Sequence, residues 1–117
     1  MRHFIIECSE NILTLKTPEE IIRAVYESAE STNLFEKKGV GGIKVRINPY
    51  KYYTTVDSKD DFIHVFTHLM EGRTTVQKKN LSNQVITKLK SLFPSVHVIS
   101  MNIRDFEKST YCNKSMV

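Results

Sequence analysis

Met1-Arg2-His3-Phe4-Ile5-Ile6-Glu7-Cys8-Ser9-Glu10-Asn11-Ile12 is the stretch that decides how the rest of this chain is read. Phe4 to Cys8 is a short apolar run that Ser9, Glu10 and Asn11 break off. A run of that length between polar stops reads as a buried strand. No positively charged leader precedes it and no small-residue cleavage site follows, so a signal peptide is not expected. The strand is expected to start almost at the terminus. That sets the α-amino group of Met1 beside the fold, where chemistry is possible.

Outward from this strand comes Thr17-Pro18-Glu19-Glu20. Thr17 suits an N-cap, Pro18 a first helical turn, and Glu20 the return bond of a capping box. Ile21, Ile22, Val25 and Ala29 follow at helical spacing, which predicts an amphipathic helix over 18–32. Gly39, Gly41 and Gly42 mark a turn. Ile43, Val45 and Ile47 then alternate with Lys44, Arg46 and Asn48, a strand with one basic face. Pro49 removes a ladder donor, so the strand bends or lies at a sheet edge there.

Asp57-Ser58-Lys59-Asp60 reads as a turn, and Phe62 to Met70 as a second strong strand. Thr74-Thr75-Val76-Gln77 is a second capping box, after Gly72-Arg73. Leu81, Val85, Leu89 and Leu92 give the second helix, which Pro94 ends. Val96 to Ile103 is the last main strand, and 104–117 a small hairpin or docking tail. The two capping-box threonines stand 57 positions apart, so the chain is a weak internal repeat of a βαβ unit. Right-handed crossovers put both helices on one face of a four-stranded sheet. The expected fold is α+β, a single domain over 1–117. Ile63, Val65 and Leu69 on one side and Phe62, Phe66 and Met70 on the other make the strands apolar on both faces. With two helices available, the second face is expected to bury against other subunits.

Composition bounds the function classes. The chain has 117 residues, 40% hydrophobic and 26% charged, as a folded soluble domain has. A net charge of +4 favours anions, whether a dicarboxylate or a nucleic acid. No apolar run approaches the ~20 residues needed to cross a bilayer. Two cysteines, Cys8 and Cys112, and no signal peptide point to a reducing cytoplasm.

Several side chains are candidates for chemistry. Arg73 precedes the second helix, where free N–H groups and the positive dipole end lie. A carboxylate there can be held by Arg73, the Thr74 hydroxyl and backbone amides together. Lys44 and Arg46 share a strand face and are either an anion site or a solvated basic surface. His64 and His68, four apart on a strand, are about 13 Å apart and cannot share one ion. His3 and His97 read as structural strand histidines, Cys8 as core, and no metal is expected. Tyr50-Lys51-Tyr52-Tyr53 mixes aromatics with a basic residue, but a β-edge or subunit contact explains it and no nucleic-acid partner is expected.

Residues 3–12, His-Phe-Ile-Ile-Glu-Cys-Ser-Glu-Asn-Ile, resemble the opening of 5-carboxymethyl-2-hydroxymuconate delta-isomerases, a branch of the tautomerase superfamily. Gly42-Ile43-Lys44-Val45-Arg46, Phe62-Ile63-His64 and Gly72-Arg73-Thr74 extend the similarity. The resemblance implies a homotrimer and a cofactor-independent isomerase acting on an unsaturated keto-dicarboxylate from aromatic-compound breakdown. It also implies that Arg73, and the residue at the Lys44 position, contact the substrate's carboxylates. The family usually has arginine where Lys44 stands, so the bidentate fork is lost while the charge remains.

One departure outweighs the matches. The family's catalytic base is an N-terminal proline exposed by removal of methionine, and Arg2 occupies that position. Methionine removal generally needs a small second residue, so Met1 is expected to stay. Arg2 is no base, because its guanidinium keeps its proton. The Met1 amine is the remaining candidate, with an ordinary pKa of about 7.7–8. It is displaced by roughly 3.8 Å, one Cα step. Activity is therefore expected to be weak or lost, and the alternative is a non-catalytic trimer that binds a small anion or a protein.

Overall fold

The computed structural model describes residues 1–35, 42–56 and 60–117. The expected glycine turn at Gly39 and Gly41 lies outside these, as does most of the Asp57–Asp60 turn. In order, the elements are β1 (Arg2–Ser9), a short α1 (Ile12–Leu15), α2 (Pro18–Ser31), β2 (Ile43–Tyr50), β3 (Phe62–Met70), α3 (Thr75–Leu92) and β4 (Val98–Phe106). A 3₁₀ turn, Lys114–Met116, follows.

Both long helices start as their sequences dictate. The Glu20 N–H donates to Thr17 Oγ1 at 3.2 Å, and the Thr17 N–H donates back to Glu20 Oε1 at 3.4 Å. At α3 the Gln77 N–H donates to Thr74 Oγ1 at 3.1 Å, and the Thr74 N–H to Gln77 Oε1 at 2.9 Å. Two orphan amides at each helix start are thereby satisfied.

The sheet order is β2-β1-β3-β4. β1 pairs parallel with β2, and β3 parallel with β4, while β1 and β3 run antiparallel in the middle. Each parallel pair is one βαβ unit, so the fold is α+β with two such units side by side. Pro49 lies in β2, an edge strand, where its missing N–H costs no ladder bond. Phe4, Ile6, Ile63, Val65 and Leu69 pack against Ile21, Val25, Leu81, Val85 and Leu89 of the helices in one buried cluster.

The opposite face differs from its expected apolar character. Phe62, Phe66 and Met70 do lie there, but strand alternation sets His64 and His68 between them. His3, Glu7, Lys44, Arg46 and Asn48 join them from β1 and β2. This face is a mosaic of aromatic, apolar and polar side chains, with basic groups outnumbering the carboxylate of Glu7. The last strand is also shifted from the expected 96–103. The Val96 N–H donates to Phe93 O at 3.1 Å in the turn that leaves α3, so the ladder starts only at Val98. It then runs on to Phe106, which pairs with Met70. Beyond it no hairpin forms among the described residues. The tail is instead tied back by the Lys108 N–H, which donates to Glu71 Oε1 at 2.6 Å.

Candidate anion-binding site at the sheet end

β1 and β2 begin, and β3 ends, at one end of the sheet, so the antiparallel centre brings the first residues of the chain to the loop after β3. Gly72 has φ +125°, in the region that favours glycine, and turns the chain there. Arg73 follows, and its Nη1 donates to Met70 O at 3.0 Å. Its guanidinium carbon lies 5.0 Å from the centroid of the Phe35 ring, and that of Arg2 lies 5.3 Å from the same centroid. Phe35 itself meets Phe4 edge-on, with centroids 6.2 Å apart. One nearly buried ring thus holds two guanidiniums at the sheet end, each by a cation–π contact.

The Met1 amine sits among these cations. Burial, first, and then Arg2, Lys44 and Arg73 push its pKa below the ordinary value. Lys44 pairs with His3 across β1 and β2, and its Nζ donates to Gly42 O at 2.9 Å. Burial and then Arg2 lower the pKa of Arg73, with Asp105 opposing. A guanidinium still stays charged throughout the working pH range. The end of the sheet is therefore a cationic cradle around an amine whose neutral form is favoured.

Met1, Arg2, Lys44 and Arg73 are brought together here. Arg46 stands one step along β2, and its Nη1 lies 3.1 Å from His3 Nδ1. A guanidinium only donates, so Nδ1 accepts and the ring proton sits on Nε2. Burial, then Arg46, Lys44, the Met1 amine and His68, lower the His3 pKa. Thr74 is engaged in its capping box, so its N–H and the Gln77 N–H are already spent within α3. What remains of the expected Thr74 contribution is the proton of its hydroxyl.

Phe35, His3 and His68 were not singled out as site residues by the sequence. Phe35 follows α2 without belonging to its periodic stripe. His3 and His68 face each other across β1 and β3, a pairing that only the register reveals. His64, by contrast, is absorbed structurally: its ring nitrogens lie 2.6 Å from Ser100 Oγ and 2.7 Å from Asn102 Oδ1. Among the described residues no group of three His, Cys, Asp or Glu could hold a metal ion. Burial, with Asp61 adding to it, pushes the Cys8 thiol up to about 11, so it stays protonated and inert near neutral pH. A depression of about 380 Å³ over the start of α3, lined by Val76, Lys79 and Asn83, includes none of Met1, Arg2, Lys44 and Arg73.

No curated protein matches this chain in sequence. Solved structures match it over nearly its full length. A 5-carboxymethyl-2-hydroxymuconate isomerase from Deinococcus radiodurans R1 superposes with a TM-score of 0.81 at 22% identity, covering 97% of this chain and 88% of that one. A 5-carboxymethyl-2-hydroxymuconate delta-isomerase gives a TM-score of 0.81 at 14% identity, over 97% and 87% of the two chains. A fused 4-OT symmetric trimer gives 0.67 at 8% identity, over 89% and 86%. These likenesses establish the tautomerase fold. The sequence pattern of 5-carboxymethyl-2-hydroxymuconate isomerases matches residues 2–117, and the chain belongs to that family.

Proposed function

We propose that this protein binds a small unsaturated dicarboxylate at the cationic sheet end, and that it is an isomerase of the family's type with impaired proton transfer. The observation that carries this reading is the convergence of Arg2, Lys44 and Arg73 on the Met1 amine. Two carboxylates would be held by Arg73 and Lys44. A neutral amine would take a proton from a carbon next to the substrate's carbonyl, and the conjugate acid would return it to another carbon. No cofactor is needed, because the carbonyl accepts the electron pair as an enolate. The lowered amine pKa helps, since a general base works best neutral and near the working pH. Misplacement by one residue opposes it, since proton transfer needs near-contact geometry.

The same reading makes the protein a cytoplasmic homotrimer. Among the described residues the cationic end is open surface, and no layer covers the mosaic face. Other copies would cover both. No described helix is long and apolar enough to cross a membrane. The second reading, a non-catalytic anion binder of the same fold, rests on Arg2 standing where the resemblance puts the family's proline.

Thermal denaturation with and without a dicarboxylate tests the site. Ligand at a hundred times its Kd stabilises the folded state by about 2.7 kcal/mol, which raises Tm. Arg73→Ala is expected to lose most of that rise. An equal rise in both proteins removes Arg73 from the site.

A further inference from the structure

The chain leaves α2 through a turn that brings Phe35 back to the core. Asn33 takes φ 58° just after the Thr32 C-cap, and asparagine is one of the few residues that adopt this conformation readily. Phe35 then lies with 9% of its surface exposed, in the same buried cluster as Phe4. The Phe4 ring meets it edge-on, while the Arg2 and Arg73 guanidiniums lie over it. Two cations, one from the start of β1 and one from the loop after β3, thus converge on a single ring.

Burial first and then Arg2 disfavour the charge on Arg73, so the two guanidiniums crowd each other. The negative face of the ring attracts both and offsets that repulsion. Asp105 favours the Arg73 charge, but its carboxylate is bonded to Lys78 at 3.2 Å. The Arg73 guanidinium is therefore restrained by two neutral groups, the ring and the Met70 carbonyl. The carbonyl takes one of its five N–H protons, and the ring takes none. Restraint of this kind fixes a cation without neutralising it. Its charge and its remaining donors stay available to a carboxylate, whereas an ion pair in the same place would consume both.

We propose that Phe35 is a positioning residue for the anion site: its ring holds the Arg73 guanidinium at the angle from which it receives a carboxylate, and holds Arg2 beside it. The proposal rests on the anion-site reading given above, and adds Phe35, which touches no ligand itself. What weakens binding is then loss of the ring's π-face, not loss of its volume. Leucine or methionine would fill most of the space and leave Arg73 to swing on its bond to Met70 O. Tyrosine would keep the face.

Isothermal titration of the full chain with adipate at neutral pH tests it. Phe35→Leu is expected to weaken adipate about tenfold, or about 1.4 kcal/mol, the size of a cation–π contact shielded from water. Phe35→Tyr should stay within twofold of wild type. Phe93→Leu alters another buried ring at the opposite end of α3, roughly 27 Å of helix away. It should lower Tm and leave adipate affinity unchanged, which separates positioning from lost stability. Circular dichroism checks that each variant is folded, and Phe35→Met carries the test if Phe35→Leu is not. If the folded variants keep adipate affinity within twofold while Arg73→Ala abolishes it, Phe35 is packing alone: the proposal is overturned and the anion site stands. A tenfold loss in Phe35→Tyr or in Phe93→Leu would overturn it as well. If wild type binds no adipate, the anion-site reading falls and the proposal with it.

Discussion

On the helix-covered face of the sheet, Phe4, Ile6, Ile63, Val65 and Leu69 are fully buried. On the other face the same two central strands present His3, Glu7, His64, Phe66 and His68, none of them buried. The two sets alternate residue by residue along β1 and β3. One face is uniform and holds the fold together. The other mixes an aromatic ring, imidazoles and a carboxylate, a composition that makes sense against ligands and other copies of the chain. Such a division predicts that substitutions will sort by face more than by position in the sequence.

Phe4→Ala should show the largest effect. Truncating a buried phenylalanine costs about 3–5 kcal/mol, readable as a lower urea midpoint at unchanged slope. Phe66→Ala, on the open face, should cost far less at high dilution. Its cost should grow with protein concentration if copies of the chain cover that face. An equal, concentration-independent loss for both would erase the distinction between the faces.

Thr74→Ala probes the border between helix and site. Losing the cap should cost about 1 kcal/mol of stability. Because the threonine's main bonds are spent inside α3, the melting response to a dicarboxylate should survive. A variant with normal stability and no response would move Thr74 from the helix into the ligand's contacts.

The smallest effect is in pH. The Met1 amine and His3 both have folded-state pKa values below their ordinary ones, through burial first and neighbouring cations second. Above the ordinary values both groups are neutral in folded and unfolded chains alike. As pH falls the unfolded chain takes up protons first, so stability decreases below about pH 8, and further below about 6.5. Urea titrations across this range should show a modest decline that His3→Gln reduces at its acid end. Both groups are only partly buried, so the slope should be shallow. A saturating dicarboxylate should flatten it, since an anion offsets the crowded positive charge. A stability that rises towards acid would contradict the cationic reading of this end.

Much of the fold was legible because local rules agree with it. Two capping boxes, two helical stripes and the alternation of Phe62–Met70 mark their elements within a residue or two. The start of β4 was not legible, because Val96 alternates like a strand residue while its N–H is claimed by the turn from Phe93. Short α1 carries no periodic signal. At the site, Arg73 and Lys44 stand out by charge and motif. The Arg46–His3 contact joins residues 43 apart and exists only through the parallel register. The Phe35 ring that carries Arg2 and Arg73 is likewise a product of tertiary packing.

In the proposed reading the binding charges are in place while the base stands in the wrong position. Isomerase turnover of 5-carboxymethyl-2-hydroxymuconate, measured on wild type and Arg2→Pro protein of verified N-terminal mass, tests this most directly. Processed Arg2→Pro, with methionine removed, should gain at least tenfold, which needs only about 1.4 kcal/mol of barrier lowering. The same variant with methionine retained should gain nothing. Turnover by the unmodified protein at a rate typical of enzymes would contradict the claim that Arg2 impairs proton transfer. An inactive processed Arg2→Pro protein would contradict the isomerase reading itself and leave the anion binder.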